Sequence, residues 1–250
     1  MKVTILNETT KNPITKMGEY AGICWGADTS DQEKNYKRGL SCLESNHGRV
    51  LEYVNIELCI EGVSARCIRE YYTHIGGSPT RLQESTRYVD CANFDYVVPK
   101  SVENNQFAET IYKDTMSSIR MAIKSMESVG ISREDAAMVL PLCMNTKIVD
   151  KRNLRNIIEM SHQRMCKRAF WEYRQLIGMI GFKLSGLSDE WKYIVDNYFK
   201  PKCDYLGYCL ESNSCGRVPS KETLLEENQR LKGLIKDLEG NLTAFKEDKE

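Results

Sequence analysis

SNHGRVLEYVNIELCIEGVSARCIREYYTHIGGSPTRLQESTRY, residues 45–88, decides how the chain is read. Leu51 to Gly62 is rich in β-branched, aliphatic and aromatic residues and predicts a strand. Ser64 is placed to cap a helix that meets no breaker until Gly76. Beyond it the segment is too polar for a core and too mixed for a plain linker. Gly76 and Gly77 let the backbone bend or approach a ligand closely. Ser85 and Arg87, two apart on an extended chain, point the same way. A hydroxyl beside an arginine suits a phosphate, because the guanidinium gives paired, charge-assisted hydrogen bonds. The plainer alternative is a surface loop in which these arginines pair with Glu70, Glu84 and Asp90.

Outward from this segment, MKVTIL predicts a short strand and Ser30 to Ser45 a helix. RYVDCANFDYVVP, 87–99, reads as extended and stops at Pro99. Val102 to Val129 predicts one long helix, ended by Gly130. Ser132 caps a short helix through Leu140, with acids in its first turn where the helix dipole favours them. Asn153 to Ile180 predicts a second long helix, and Ser188 to Phe199 a third. Strands and helices mix early and helices dominate late, which is an α+β pattern. Asn153, Arg155, Arg164 and Arg168 project donors along the second long helix, although an ordinary exposed face has the same look.

The 250 residues suit one large domain or two small ones. Lys+Arg and Asp+Glu are both 35, so no basic excess marks a nucleic-acid polymer or a membrane surface as partner. No secretory signal and no membrane-length apolar run is evident, so a cytoplasmic protein is expected. In that setting the ten cysteines are expected as reduced thiols. Cys203, Cys209 and Cys215 stand at six-residue steps, wider than the usual zinc spacing. A fourth ligand is not evident within this spacing, and Cys143 or Cys166 would have to supply it from elsewhere in the fold. These residues are read as loop thiols and no metal is assigned.

A boundary falls near CGRVPSKE, 215–222, which divides a domain over 1–216 from a linker and tail over 217–250. In the tail Leu224, Leu231, Leu238 and Phe245 recur every seven residues, with Asn228, Ile235 and Leu242 between them. That is a short a/d seam with one polar position, and it predicts weak self-association through 224–245 as a coiled coil.

Taken together, these segments resemble the flavin-dependent thymidylate synthases. His47 matches the histidine of that family's Gly-His segment, and His74 the centre of its Arg-His-Arg triplet. Ser85, Arg87 and Tyr88 match its Ser-x-Arg-Tyr element, and EDAAMVLP its helix closing on Val-Leu-Pro. NLRNIIEMSHQRMCKRAFWEYR resembles its long helix, with Asn153 and Arg155 at Asn-x-Arg and Arg164 at the later arginine. The likeness covers roughly residues 45 to 175.

The resemblance implies a homotetramer that binds FAD between subunits. It implies methylation of dUMP to dTMP, with NADPH as reductant and methylenetetrahydrofolate as carbon donor. Glu70, Ser85, Arg87 and Arg164 would hold dUMP, with Arg164 also the catalytic group at the pyrimidine. His47, His74, Gln83, Asn153 and Arg155 would face FAD. The pattern departs from the family at several points. Thr73 and Ile75 replace the triplet arginines, and two residues are inserted near Gly76-Gly77. Ala137 stands for an arginine, Glu159 for Asn or His, and Arg168 for His. Arg81 and Arg168 are the candidates for restoring the lost charge. Two alternatives follow from these departures: a flavin-dependent hydroxymethylase of dUMP or dCMP, and a catalytically silent nucleotide-binding relative that acts through its tail.

Overall fold

Ile56, Leu58 and Ile60 alternate with half-exposed neighbours, so one face of their strand is buried and the other is not. The structure, a computed structural model, describes residues 1–247, with side chains described for residues 1–239. Its strands are β1 (Lys2–Ile5), β2 (Asn55–Ser64), β3 (Thr80–Gln83) and β4 (Asn145–Asn153). They form a four-stranded sheet in the order β1-β2-β4-β3, with every neighbouring pair antiparallel. Leu58 faces Asp150 and Ile60 faces Ile148 across the central pair, and the register shifts at Gly62, whose φ is +68°.

The helices, in chain order, are α1 (Pro13–Cys24), α2 (Gln32–Glu44), α3 (Gly48–Leu51), α4 (Ala65–Tyr71), α5 (Lys100–Glu103) and α6 (Gln106–Ser128). They continue with α7 (Arg133–Ala136), α8 (Leu154–Arg164), α9 (Trp171–Ser185), α10 (Asp189–Tyr198), α11 (Lys202–Leu206) and α12 (Lys221–Glu247). The main core joins the inner face of β2 and β4 to apolar residues of α1, α4, α8, α9 and α10. A smaller core sits under α6, where Phe94 and Ala92 pack on Met116 and Ile123. α1 and α2 cross so closely that a Cβ on Gly18 would lie 1.7 Å from the Asn35 carbonyl oxygen. Among the described residues no helix is long and apolar enough to cross a membrane.

Three sequence expectations need correction. The segment Asn153 to Ile180 is two helices, α8 and α9, with a turn between them. The Arg174 guanidinium satisfies the carbonyls of Lys167 and Ala169 in that turn, at 2.9 and 3.1 Å. The helix expected from Val102 is interrupted after Asn104, where Asn105 caps α6 by accepting from the Ala108 amide. Residues 87–99 form no strand; Ala92, Phe94 and Tyr96 pack into the smaller core while Tyr88 and Val89 stay exposed, and Tyr96 makes an isolated bridge to Met144.

In the tail, α12 begins at Lys221 and leaves Leu231, Ile235 and Leu238 exposed. The last seam positions, Leu242 and Phe245, lie outside the residues whose side chains are described.

Candidate active site

The junction of β2 and α4 is held from a distance. Ser64 Oγ accepts from the Cys67 amide at 3.0 Å and so caps α4. Glu172 of α9, itself buried, accepts from the Ser64 amide at 2.6 Å and from its hydroxyl at 2.5 Å. This fixes where α4 points, and α4 carries Glu70 and leads to His74.

Arg164, at the end of α8, reaches both of them. Its Nε donates to His74 Nε2 at 3.0 Å and its Nη1 donates to Glu70 Oε2 at 3.1 Å. Its guanidinium lies 4.8 Å above the Tyr173 ring, and the edge of that ring meets His74. A guanidinium only donates, so His74 Nε2 is the acceptor and Nδ1 carries the proton. Burial first, then the charges of Arg164, Arg152 and Arg81, push the His74 imidazole down to about 4. His74 is therefore neutral at physiological pH. An NMR titration of the full chain is expected to place its midpoint near that value. Unfolded histidine takes its proton near ~6.5. The unfolded chain thus binds more protons between the two midpoints, and His74 contributes stability there that grows with pH and is lost on acidification.

Beneath this cluster lies a buried ionic network. Arg152 holds Asp150 with two bonds, Nε to Oδ2 at 2.5 Å and Nη2 to Oδ1 at 2.8 Å, and both side chains are 0% exposed. Tyr71 donates to Asp150 Oδ2 at 2.8 Å, and Arg152 Nη1 donates to Asn156 Oδ1 at 2.5 Å. The Arg152 guanidinium stacks 4.3 Å over the Tyr71 ring. A pair this deep survives only with every partner in place.

A second group of side chains gathers at the start of α8. Asn153 caps that helix, accepting from the Asn156 amide at 2.9 Å. Arg155 Nη1 donates to Glu52 at 2.7 Å and its Nε to Glu159 at 3.3 Å. Its guanidinium also covers Gly48, the residue after His47. His47 sits exposed at the start of α3. Gly76 and Gly77 close over this group and line with it a small cavity of about 190 Å³. Gly77 has φ +72°, and a Cβ there would lie 2.2 Å from the Asn153 side-chain Nδ2. Gly77→Ala is expected to cost about 1–3 kcal/mol of stability through backbone strain; a melting temperature equal to wild type would contradict this.

The structure thus joins Glu70, His74 and Arg164 in one cluster and Asn153 with Arg155 in the next. It does not bring Ser85 and Arg87 to them within one chain. Ser85 lines a different cavity, of about 350 Å³, beside Glu84 and Lys147. Arg87 is exposed and pairs with Glu134 at 3.1 Å. Gln83 lies on β3 and donates to Thr146 Oγ1 at 3.2 Å. Arg81 does bring positive charge toward His74: it lies 4.5 Å over the Tyr72 ring and donates to the Tyr72 carbonyl. Arg168 turns away, donating to the Asn213 carbonyl and facing Glu211. Sequence reasoning missed Glu52, Asp150, Arg152 and Tyr173. The inward charges of β4 carried the signal, as alternate polar positions in NTKIVDKRN.

Residues 5–185 match the family model described as thymidylate synthase complementing protein. The flavin-dependent thymidylate synthase of Nitratidesulfovibrio vulgaris is 30% identical over 213 residues, 80% of this chain and 84% of that one. The chain belongs to the flavin-dependent thymidylate synthase family. Another of its relatives is the flavin-dependent thymidylate synthase of Thermococcus onnurineus, 32% identical over 84% of this chain and 89% of its own. Among solved structures, the fold resembles thymidylate synthase X from Helicobacter pylori with FAD and dUMP, at a TM-score of 0.63 and 16% identity. That likeness covers 80% of this chain and 100% of that one. It also resembles a UMP/dUMP methylase from Streptomyces cacaoi bound with 5-Br dUMP, at a TM-score of 0.66 and 15% identity. There 79% of this chain and 96% of that one are covered.

The residues around Gly77 fit an anionic cofactor of the kind the family name implies. Arg155 supplies a guanidinium and Asn156 an amide, and the glycine pair leaves a cradle that side chains would fill. Glu52 and Glu159 hold Arg155 in the arrangement described, so an incoming phosphate would compete with two carboxylates for it.

Proposed function

We propose that the chain methylates dUMP to dTMP with FAD as cofactor, NADPH as reductant and methylenetetrahydrofolate as carbon donor. One observation carries the reading in a chain of this family: a guanidinium oriented by a carboxylate and by a histidine kept neutral, at Arg164, Glu70 and His74. Activating a uracil ring at C5 pushes negative charge onto its carbonyl oxygens. A fixed cation aimed at them stabilises that charge without reorganising. Arg164 is such a cation, and Glu70 together with the Tyr173 ring limits its rotation.

When bound and reduced by NADPH, FAD would supply the hydride that completes the transferred methyl group and would be returned to its oxidised form. Asn153, Arg155 and the glycine pair would hold it, with His74 and His47 beside it and Gln83 on the neighbouring strand. Ser85 and Arg87 would take the dUMP phosphate. Because one chain keeps them apart from Arg164, the reading has them meet Arg164 across subunits, in a homotetramer.

An absorption titration tests this. The flavin band of FAD-loaded protein is expected to shift when dUMP is added. Failure to retain FAD at saturating concentration would contradict the reading and favour a silent relative. Arg87→Ala is expected to weaken dUMP binding by about 1.5–3 kcal/mol, the range for a hydrogen bond to a charged group, with flavin content unchanged. Equal calorimetric affinity for dUMP would remove Arg87 from the phosphate site.

A further inference from the structure

α12 runs for 27 residues, about 40 Å at the rise of an α-helix, yet none of its described residues joins either apolar core. Leu224 in its first turn is half-buried, and every residue from Leu225 to Glu239 is exposed. Leu231, Ile235 and Leu238 stand 47%, 55% and 68% exposed. A helix in water with no packed face is marginal, and Gly233 and Gly240 weaken this one further. The base of the helix, by contrast, is fixed to the domain. Ser220 accepts from the Thr223 amide at 3.1 Å, the Cys209 amide donates to the Pro219 carbonyl at 2.8 Å, and Arg217 pairs with Asp204. The domain therefore presents a projecting helix whose apolar stripe has no cover among the described residues.

The stripe has the order of a two-stranded seam. Written as heptads, Asn228, Ile235 and Leu242 take the a positions, and Leu224, Leu231, Leu238 and Phe245 the d positions. A β-branched residue at a with leucine at d favours two parallel strands, and a single Asn at a fixes their register. In an in-register parallel pair Asn228 meets its own copy, and one amide donates to the other across the seam. In an antiparallel pair it would face an apolar d residue and lose that partner. The flanking charges agree. Glu227 at g and Lys232 at e are five apart, the spacing at which g of one parallel strand meets e of the other. Lys232 has no ion pair among the described residues, and Glu227 reaches only Arg230 of its own helix, at 3.9 Å. Pairing gives Lys232 a carboxylate on each side of the seam. Gly233, with open space around it, and Gly240 fall at f, on the face away from the seam.

We propose that α12 pairs with α12 of a second copy of this chain, as a parallel, in-register, two-stranded coiled coil over residues 224–245. The pairing stands apart from the proposed reaction, since the family match ends at residue 185, before α12 begins. It joins two domains at the bases of their tails, and the flavin and nucleotide readings do not depend on it.

Single cysteines placed in the full chain test this by mild oxidation and mass mapping of the linked peptides. Leu224→Cys and Leu238→Cys are each expected to link to the same residue of a second copy, because an in-register parallel pair brings like positions together along its whole length. Gly233→Cys, on the outer face, is expected to stay unlinked under the same oxidation. Adding Leu231→Asp and Ile235→Asp should abolish the link at Leu238→Cys; both positions are exposed and outside the cores, so the domain should stay folded by circular dichroism. Failure of FAD to bind would remove the proposed reaction and leave this linkage untouched. Like-to-like linkage at one end only, linkage at Gly233→Cys equal to that at Leu238→Cys, or linkage that survives the two aspartates would overturn the parallel pair. No linkage at either end would overturn self-pairing itself.

Discussion

Arg164→Ala is expected to lower turnover about 10²–10³-fold, the loss seen when one preorganised electrostatic donor is removed from a developing anion. The size follows from where the side chain sits. Arg164 is largely shielded from water, with Glu70 and His74 as fixed partners and Tyr173 beneath it. Charge held that way acts in a low-dielectric site and costs no rearrangement at the moment of reaction. The flavin content of the variant should stay close to wild type, because Asn153, Arg155 and the glycine pair form a separate group of side chains. Removing Arg164 also removes one of the charges that depress His74, so the His74 titration should move up toward its ordinary range. The opposite pattern, flavin lost with turnover per bound flavin intact, would assign Arg164 to the cofactor.

Arg152→Leu is expected to destabilise the fold by about 3–5 kcal/mol, because it leaves Asp150 buried without its counter-ion. The neighbours make this worse: Asn156 loses its donor, and Tyr71 is left with Asp150 alone. Replacing Asp150 and Arg152 together by apolar residues of similar volume should recover much of the loss, since the cost lies in the stranded charge. A single variant within 1 kcal/mol of wild type would mean that water reaches the pair. The network underlies the Glu70–His74–Arg164 cluster through Tyr71, whose ring packs on Tyr173, and Tyr173 in turn meets His74. Activity should therefore fall along with stability in the single variant and return with the double replacement.

The parts of the fold that were legible in the sequence obey local rules. β2 alternates cleanly, and Ser64, Ser132 and Ser188 each cap the helix expected to start beside them. β4 was not legible because its buried face carries Asp150 and Arg152 among Thr146 and Ile148, so inward positions read as polar. α1 announces itself only by Pro13 at its first turn, and its inward face includes Gly18 and Gly22, which reads as a weak helix. The turn between α8 and α9 contains no glycine or proline; a distant side chain, Arg174, makes it possible. In the site, the family resemblance singled out Glu70, His74, Asn153, Arg155 and Arg164, and the fold brings the first two to the last in one contact group. The two-cluster arrangement was not legible, because it depends on what the two ends of α8 meet: Arg155 near its start reaches Glu52, and Arg164 at its end reaches Glu70 and His74.

The measurement that tests the account most directly is the product of one reaction. FAD-loaded protein is incubated with dUMP, methylenetetrahydrofolate and NADPH, and the nucleotide is analysed by mass spectrometry. The account predicts dTMP, heavier than dUMP by one methylene unit, with NADPH consumed in step. Nucleotide returned unchanged by flavin-loaded protein, or a product carrying a further oxygen, would contradict it.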